Sequence, residues 1–363
     1  MAGGALVPRR HRVRPDALEL AINWLGRTHD ATGRQGSSKG FSLLRGWLPA
    51  YPETTGYVIG TLLAYAGRHG GRRDLVQRAR EMGDWEQRIQ GADGGIMEGA
   101  MGNLPRRSIV FNTGMVLHGW LDLLEAGFDG YEGAAAGAAR FLTGHLRADG
   151  TWDPRVEYAG LPHTYNSRVA WAMLRWSRHA DDQDVEAAAR CHLDWVVARQ
   201  RPNGWFEDCV FRPGMKPSTH GLAYTLRGLL ESHLLLSEPA WLTAVERASE
   251  VLIRKLETLP RLAANYNENW LPAARHGCLT GTVQLGGVWL RLYDATGDPR
   301  WLNAGLKAIE ESASHQETGP WESIHGALPG SFPVWGRYAP LQYPNWATKF
   351  LADALMLYED HLA

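Results

Sequence analysis

The stretch QRPNGWFEDCVFRPGMKPSTHGLAYTLRGLLES, residues 200–232, contains the unit from which the whole chain is built. It begins with a Gln and an Asn-Gly turn, continues through a loop rich in aromatic and charged residues, and ends in a helix that starts near Thr219. The same three parts recur about every 55 residues, and a period of this length is typical of repeat architectures. The sequence therefore predicts a fold made of repeated helical units.

Twelve segments show apolar residues at three- and four-residue spacings, which is the pattern of amphipathic helices. They alternate along the chain between two classes, which we call outer and inner. The predicted outer helices are residues 15–28, 75–90, 131–147, 185–200, 240–256 and 300–315. The predicted inner helices are residues 54–68, 112–125, 165–179, 219–236, 280–295 and 345–361. Paired as six hairpins, they predict an all-α (α/α)6 toroid, a single domain over residues 15–363 that follows a flexible leader at residues 1–14.

The connections between these helices are of two kinds. From an inner helix to the next outer helix the chain passes through short Gly, Pro and Asp turns, such as 127–130 and 297–299. From an outer to an inner helix the loops run for about 15 to 30 residues, a length that is typical of functional loops. Because helix direction alternates, all six long loops are expected on one face, together with the N-terminal ends of the inner helices.

Both ends of the long loops carry recurrent features. Four outer helices end in a Gly turn followed by an apolar or aromatic residue, at 90–96, 146–152, 200–205 and 316–321. These turns resemble the Gln-Trp repeat of squalene-hopene cyclases, and their glycines are expected in the left-handed backbone region. Each inner helix begins near a hydroxyl or amide side chain, which predicts side-chain N-caps. Six positive helix-dipole ends around one mouth would favour anionic or hydroxyl-rich ligands.

Composition excludes several classes of protein. The formal net charge is -1, so the chain lacks the basic excess that a nucleic-acid partner requires. No apolar run approaches the length of a membrane span, and the start of the chain lacks a signal-peptide core, so we expect a soluble cytoplasmic protein. Three widely spaced cysteines fit reduced thiols. The 16 tryptophans indicate close helix packing, an aromatic-lined pocket, or both.

Four strings extend the likeness beyond a generic toroid: GWLPAYPETTGY at 46–57, HTYNSRVAW at 163–171, GSFPVWG at 330–336 and YPNWA at 343–347. They resemble a bacterial family associated with exopolysaccharide biosynthesis clusters, which is labelled prenyltransferase-like or six-hairpin glycosidase-like. The resemblance covers most of the chain from Gly40 onward. It implies a glycan setting without an established reaction, and no catalytic residues carry over from it.

Carboxylates in the long loops are candidates for acid and base catalysis. They are Glu53, Glu98, Asp153, Glu157, Glu207, Asp208, Glu268 and Glu322. Glu53 stands at the start of an inner helix between aromatic residues, and Glu207 and Asp208 follow a Trp-Phe pair that could raise the pKa of one of them. Glycoside hydrolysis needs two carboxylates across the scissile bond, at a separation that the sequence does not fix.

A second chemistry is suggested by polar residues at the third and fourth inner helices. Abstraction of the C5 proton of a uronic acid requires a base, for which His163, Tyr165 and His220 are candidates. It also requires neutralisation of the sugar carboxylate, for which Asn166 and Arg168 are suited. These residue types fit a polysaccharide lyase or a uronyl epimerase.

Further residues of the long loops and inner helix ends are expected to bind a sugar. Aromatic faces stack on sugar rings, while Asn, Arg and Glu side chains bind hydroxyls and carboxylates. The candidates are Trp47, Tyr57, Asn112, Trp205, Arg212, Glu268, Trp270, Trp335 and Trp346. Core packing is the competing role for each Trp.

Three alternatives remain open at the level of the sequence. A terpene or prenyl cyclase would need an Asp-rich motif, and the nearest match, at 181–185, lies in a short turn. Zinc would need a set such as Cys209, Cys278, His220 and His276 to converge, but we predict no metal and no other cofactor. The third alternative is a non-catalytic glycan-binding protein of polysaccharide assembly. We expect an oligo- or polysaccharide partner, and the oligomeric state cannot be deduced from the sequence.

Overall fold

A computed structural model of the chain describes residues 13–102, 107–259 and 261–362. The predicted leader, residues 1–14, falls outside these ranges except for its last two residues.

The described residues form twelve α-helices in six consecutive hairpins. The outer helices are α1 (Ala17–Asp30), α3 (Arg73–Ile89), α5 (Glu132–Gly144), α7 (Gln183–Ala198), α9 (Pro239–Thr258) and α11 (Pro299–Ala313). The inner helices are α2 (Pro52–Arg68), α4 (Val110–Glu125), α6 (Ser167–Ala180), α8 (Thr219–Leu236), α10 (Leu279–Thr296) and α12 (Asn345–Asp360). Every helix end lies within three residues of its predicted position, so the predicted (α/α)6 toroid is confirmed.

The six inner helices form a closed ring, in which each packs on the next and α12 packs on α2. Small residues allow this close approach: a Cβ added to Gly56 would lie 2.5 Å from the Cα of Val116 on the neighbouring helix. A Cβ on Gly281 would lie 2.6 Å from the backbone nitrogen of His220. The main apolar core fills the space between the inner and outer rings, where Trp24, Trp120, Trp241 and Trp289 are fully buried. The Trp-rich composition is thus used largely for helix packing.

Three of the four predicted Gly turns at the ends of outer helices adopt the left-handed backbone. Gly94, Gly150 and Gly204 have φ values of 85°, 82° and 84°. The prediction is wrong for Gly319, which lacks a positive φ; after α11 the left-handed glycine is Gly326, with a φ of 89°, where a Cβ would lie 2.2 Å from the carbonyl oxygen of Leu20.

In three hairpins a Gln side chain binds the Gly turn to the neighbouring outer helix. The Nε2 of this Gln donates to one carbonyl of the turn and to one carbonyl of the next outer helix. Gln90 donates to Gly94 and Ala134, Gln200 donates to Gly204 and Ala244, and Gln316 donates to Gly326 and Ala17. Because Ala17 belongs to α1, the last of these contacts closes the outer ring.

Short strands organise the long loops on the face that receives the N-terminal ends of the inner helices. β1 (Gly40–Ser42) pairs antiparallel with both β2 (Gly46–Trp47) and β7 (Gln342–Pro344), so the first and sixth long loops share a sheet. β3 (Ile96–Met97) pairs with β4 (Ser108–Ile109) within the second loop, and β5 (Gly277–Cys278) pairs with β6 (Ser331–Phe332) between the fifth and sixth. The long loops therefore form one connected layer.

The prediction of side-chain N-caps is largely wrong. Ser218 Oγ accepts from the Gly221 backbone N–H at 3.0 Å, whereas α2, α4, α6 and α12 have no side-chain cap. Their polar residues bind the preceding loops instead. The hydroxyls of Thr55, Thr113 and Thr348 accept from loop backbone N–H groups at 2.8 to 2.9 Å. These side chains lie within the first helical turns, where they fix the loops against the inner ring.

None of the helices in the described ranges combines the length and apolar character needed to cross a membrane.

Candidate active site

The long loops surround a cavity of about 490 Å³ at the N-terminal ends of the inner helices. We call it the mouth cavity, and its lining residues are Lys39, Tyr51, Glu53, Glu98, Gly99, Ile109, Phe111, Asn112, Tyr158, Tyr165, Phe211, Arg212, His220, Tyr224, Tyr338 and Trp346. These residues come from every long-loop region except the fifth, within the part of the chain that the structure describes. The volume falls in the range of about 300 to 1,000 Å³ that is usual for small-molecule sites.

Glu53 is the carboxylic acid at the base of this cavity. It occupies the first turn of α2, one residue after the helix-initiating Pro52. The hydroxyl of Tyr51 donates to Glu53 Oε2 at 2.5 Å. The side chain is half-buried, and desolvation raises the pKa of the carboxyl against the opposing effects of Tyr51, Lys39 and Arg168. A carboxyl with a raised pKa is suited to general acid catalysis.

Lys39 supplies a cation beside this acid. Its Nζ lies 5.0 Å from the ring centroid of Tyr51 and 5.9 Å from that of Trp346. Burial lowers the pKa of the ammonium group, while Glu53 opposes this shift. Lys39 is held next to α12 because its carbonyl accepts from the backbone N–H of Asn345 at 3.0 Å. The sheet between the first and sixth loops thus places a positive charge near Glu53.

His220 has a defined tautomer. Gln284 Nε2 lies 2.6 Å from His220 Nδ1 and also donates to the Thr280 carbonyl at 3.1 Å, which identifies this Gln atom as the donor. His220 Nδ1 is therefore an acceptor, and the proton of the neutral ring is on Nε2. Burial lowers the pKa of His220 to about 3, so the ring is neutral at physiological pH. In this state Nε2 presents a hydrogen-bond donor, and His220 is better suited to binding a substrate oxygen than to abstracting a proton.

Aromatic rings form most of the remaining wall. Tyr165 packs edge-on against Phe111, with ring centroids 5.2 Å apart, and Phe211 lies 5.1 Å from Tyr165 on the other side. Across the cavity, Trp346 Nε1 donates to the hydroxyl of Tyr338 at 2.8 Å. The wall therefore combines flat apolar faces with phenolic hydroxyls, a mixture that suits sugars.

Charged residues mark the rim of the cavity. Arg212 donates to the hydroxyl of Tyr158 through Nε at 3.0 Å and Nη2 at 2.8 Å. Glu98 pairs with Arg107 at 2.7 Å from Oε2 to Nε. The cavity lining thus contains, besides Lys39 and Glu53, a second cation and a second carboxylate.

The structure separates the six catalytic candidates into two groups. Glu53, Tyr165 and His220 line the mouth cavity. His163 lies behind its wall, stacked on Tyr165 at 4.4 Å, and its Nε2 binds the Tyr158 carbonyl at 2.8 Å. Burial lowers the pKa of His163 to about 4.

Glu207 and Asp208 lie outside the cavity lining, on the hairpin that follows α7. Glu207 pairs with Arg201 at 2.8 Å and with Arg199 at 2.7 Å, and Asp208 pairs with Arg199 at 2.8 Å. The hydrogen bond from Arg201 lowers the pKa of Glu207, the opposite of the direction expected from the neighbouring aromatic residues. Trp205 fails to shield these carboxylates because it packs inward.

The sugar-binding candidates are also divided. Asn112, Arg212 and Trp346 line the mouth cavity, whereas Tyr57 and Arg168 line a second cavity deeper in the inner ring. Asn166 is buried and donates to both oxygens of Glu157 at 3.0 Å.

The other candidates lie away from the cavity. Trp205 and Trp270 are buried against each other, with centroids 5.2 Å apart, and Glu268 pairs with Lys216 at 3.3 Å. Trp47 packs edge-on against Phe41. Trp335 is 70% exposed on the outer surface. Trp205 and Trp270 therefore have the core-packing role that competed with sugar binding.

Several lining residues were not predicted from the sequence. Lys39, Tyr338 and Tyr224 belong to this group. Gln284, which binds His220 but does not line the cavity, was also not predicted. Tyr224 follows His220 by one helical turn, so helical spacing would have indicated it. Lys39 and Tyr338 depend on how the first and sixth loops fold, for which the sequence carries no comparable signal.

The cysteines show no arrangement for a metal ion. All three are free, and burial raises the pKa of Cys209 to about 11 and that of Cys278 to about 12. Among the described residues, no group of three or more His, Cys, Asp or Glu side chains is placed to hold a metal. The zinc alternative therefore gains no support.

Solved structures resemble the whole chain. An unsaturated glucuronyl hydrolase specific for heparin has a TM-score of 0.76 and 13% identity, over 96% of this chain and 97% of that one. A D-mannose isomerase has a TM-score of 0.72 and 13% identity, over 96% and 98%. The chain is an (α/α)6 toroid. This toroid also resembles a cellobiose 2-epimerase from Spirochaeta thermophila, with a TM-score of 0.69 and 13% identity over 95% and 94%.

No protein-family model and no curated protein sequence matches the toroid. Identities of this size show the fold alone, and the activity has to be inferred from the mouth cavity.

Proposed function

We propose that the protein is a carbohydrate-active enzyme that hydrolyses a glycosidic bond in the mouth cavity, with Glu53 as the general acid. The observation that carries this proposal is the Tyr51–Glu53 pair, which places a carboxyl of raised pKa at the base of a cavity walled by aromatic rings and hydroxyls. Support also comes from the similar folds, which belong to proteins described as a glucuronyl hydrolase, a mannose isomerase and a cellobiose epimerase.

The character of the cavity favours a sugar over a hydrocarbon. A terpene or prenyl chain would cover the ammonium group of Lys39, which has no hydrogen-bond partner among the described residues, and leaving a buried polar group unsatisfied costs about 1 to 3 kcal/mol. A pyranose offers hydroxyls to this ammonium group and an apolar face to Trp346 or Phe111. The balance of these terms supports a carbohydrate ligand.

In the proposed reaction, protonated Glu53 gives its proton to the glycosidic oxygen as the bond to the anomeric carbon breaks. The resulting carboxylate is stabilised by the Tyr51 hydroxyl and by Lys39. We assign the activation of the attacking water to Glu98, the second carboxylate of the cavity lining, which is paired with Arg107 at 2.7 Å. His220 Nε2–H would hold a sugar oxygen. After product release Glu98 gives the proton of the attacking water to solvent and Glu53 takes one proton from solvent, so both groups return to their starting states and one water is consumed.

The substrate that we propose is a short oligosaccharide with an acidic sugar, derived from a bacterial polysaccharide or its precursor. Lys39 and Arg212 provide the cations that would bind a uronate carboxylate. The polysaccharide context rests on the sequence resemblance described above.

The test is to incubate the protein with a panel of neutral and uronate-containing oligosaccharides and to measure new reducing ends. Glu53→Gln should abolish their release, while Glu207→Gln, which alters a carboxylate outside the cavity, should retain it. Turnover by Glu53→Gln at the wild-type rate would overturn the role of Glu53. If squalene or a prenyl diphosphate were cyclised while no glycan reacted, the carbohydrate proposal would fail.

A second candidate is proton transfer at a sugar carbon, as in elimination or epimerisation of a uronate. It is favoured by the single deeply placed carboxyl beside Lys39, since Glu53 in its ionised form could remove a proton next to a bound carboxylate. Unsaturated-uronate absorbance would report elimination, and deuterium uptake from solvent would report epimerisation. Binding of glycans without any of these signals would indicate the non-catalytic alternative.

A further inference from the structure

A second cavity lies inside the inner ring, beyond the base of the mouth cavity. It has a volume of about 460 Å³ and shares no lining residue with the mouth cavity. We call it the lower cavity and define it by Arg168, Trp171, Asp122, Arg175, Lys349 and Asp353, which belong to its wall. It reaches the ends of α4 and α8 at Glu125 and Leu235, and the Glu125 side chain is 59% exposed. The lower cavity therefore opens toward the face of the short turns.

A layer of aromatic rings separates the two cavities. The hydroxyls of Tyr57 and Tyr224 lie 3.4 Å apart, and Phe350 lies 5.5 Å from the ring of Tyr57 and 5.8 Å from that of Tyr224. Tyr224 faces the mouth cavity, whereas Tyr57 faces the lower cavity. A ligand of one cavity is thus screened from the other.

Arg168 is an unusual cation in this environment. Arg168 is only 5% exposed. Its guanidinium forms no hydrogen bond or ion pair with the described residues. Four aromatic rings lie around it, with centroids 5.0 to 5.8 Å from Cζ. These rings stabilise the charge but accept none of its N–H groups, and a buried charge without a counter-ion is costly.

The other cations of the lower cavity already have carboxylate partners. Arg175 pairs with Asp122 at 2.7 Å and with Glu125 at 2.9 Å, and Lys349 pairs with Asp353. Arg168 is therefore the lining cation without an ion pair among the described residues. Glu231, another carboxylate of this wall, interacts with the charge of Arg168 but is paired with Arg227 at 2.9 Å and with Arg291 at 3.0 Å. A guanidinium presents parallel N–H donors that match a carboxylate or phosphoryl group.

We propose that the lower cavity binds a small oxyanion, with a carboxylate or phosphoryl group held by Arg168. Asp122 and Asp353 in the same wall offer acceptor oxygens to hydroxyls, and Trp171 offers a flat face, so a hydroxylated oxyanion such as a sugar acid or a sugar phosphate fits best. The proposed binding does not rest on the reaction in the mouth cavity, although the charge of Arg168 lowers the pKa of both Glu53 and His220.

The experiment is isothermal titration calorimetry of the full chain with inorganic phosphate and, separately, with D-glucuronate. The wild-type protein should bind at least one probe, and Arg168→Met should weaken that binding about tenfold or more, because a charge-assisted pair is lost. The matched control Arg155→Met, at an arginine that is 87% exposed and lines neither cavity, should retain it. The two probes distinguish a phosphoryl from a carboxylate ligand.

Failure of the wild-type protein to bind either probe would overturn the proposal, as would unchanged binding by Arg168→Met. If Arg168→Met does not fold, the variant Leu235→Trp tests the proposal instead, because the larger side chain fills the opening of the lower cavity and leaves Arg168 in place. Loss of binding in Leu235→Trp would support the lower cavity as the site, and retained binding would exclude it.

Discussion

The hydroxyl of Tyr51 donates a 2.5 Å hydrogen bond to Oε2 of Glu53, two residues further along the chain. The pair spans the start of α2, with Tyr51 in extended backbone before the helix and Glu53 in its first turn. Burial raises the pKa of Glu53 and the Tyr51 hydroxyl lowers it, so the acidity of the group depends on a balance between the two. This balance can be altered by single substitutions.

Replacing Glu53 with Gln keeps an acceptor for Tyr51 but removes the proton that the reaction requires. We expect kcat to fall about 100- to 10,000-fold, the usual contribution of a general acid. Circular dichroism should show unchanged helix content. The matched variant Glu207→Gln should keep at least most of the wild-type rate, since Glu207 pairs with Arg201 outside the cavity.

Replacing Tyr51 with Phe removes the hydrogen bond that lowers the pKa of Glu53. That pKa should rise, so the protonated acid should persist to higher pH. In a profile of kcat/KM against pH, the alkaline limb should therefore move to higher pH. Tyr338→Phe, another phenol of the cavity, should leave the limb in place. An unchanged limb in Tyr51→Phe would mean that Glu53 does not set it.

Replacing Gln284 with Glu reverses the hydrogen bond to His220. A carboxylate at this position would accept a proton from Nδ1 and stabilise the imidazolium, so the pKa of His220 should rise from about 3. NMR titration of the ring protons provides the measurement. His192, whose pKa burial also lowers to about 3, is the internal reference and should not move. If the two residues shifted together, the effect would not be local.

Glu157 should make stability depend on pH. Its side chain is buried beside Asn166, and burial raises its pKa from 4.5 to about 8. Between these values the folded protein holds a proton that the unfolded chain releases, so the free energy of unfolding should fall as pH rises, by up to about 1.4 kcal/mol per pH unit. Glu157→Gln should remove this slope. Urea unfolding between pH 4.5 and about 8 measures this dependence. The prediction would be contradicted if the free energies of unfolding of the wild-type protein and Glu157→Gln changed with pH in parallel.

Gln316 should contribute to the stability of the closed ring. Its Nε2 donates to the carbonyls of Ala17 and Gly326, both at 2.9 Å. Gln316→Ala would leave these carbonyls without their partner, and we expect a loss of about 1 to 3 kcal/mol in the free energy of unfolding. Gln77→Ala, at an exposed position where the side chain donates to Glu81 at 3.1 Å, should cost much less. Equal losses would show that the contact to α1 is unimportant.

The fold could be predicted because the same local signals occur six times. Apolar spacing fixes each helix, and a turn such as Asn203-Gly204 ends the outer one. Errors in single helices then have little effect, since each hairpin confirms the others. The N-caps could not be predicted, because a hydroxyl in the first turn, such as that of Thr113, has a choice between its own helix and a neighbouring loop.

The candidate site could be predicted only where residues are tied to helix ends. Glu53, Asn112 and His220 lie in first turns, and the ring geometry directs such positions toward the mouth cavity. Residues far inside the long loops follow the path of the loop instead. Glu207 lies beside Arg199 and Arg201 because the chain reverses after α7, and these two arginines were the available signal that its charge is neutralised at the surface.

The contact between α1 and α12 has a consequence for how the toroid can be built. An open solenoid needs terminal repeats with a polar outer face, whereas in the described residues of this ring the first and sixth hairpins pack against each other. The beginning of α1 and the end of α12 lie on the same face as the short turns, so a linker between them would act as one more such turn. A circular permutant cut at Gly297 would then preserve every interface between hairpins, which makes the starting point of the sequence around the ring interchangeable.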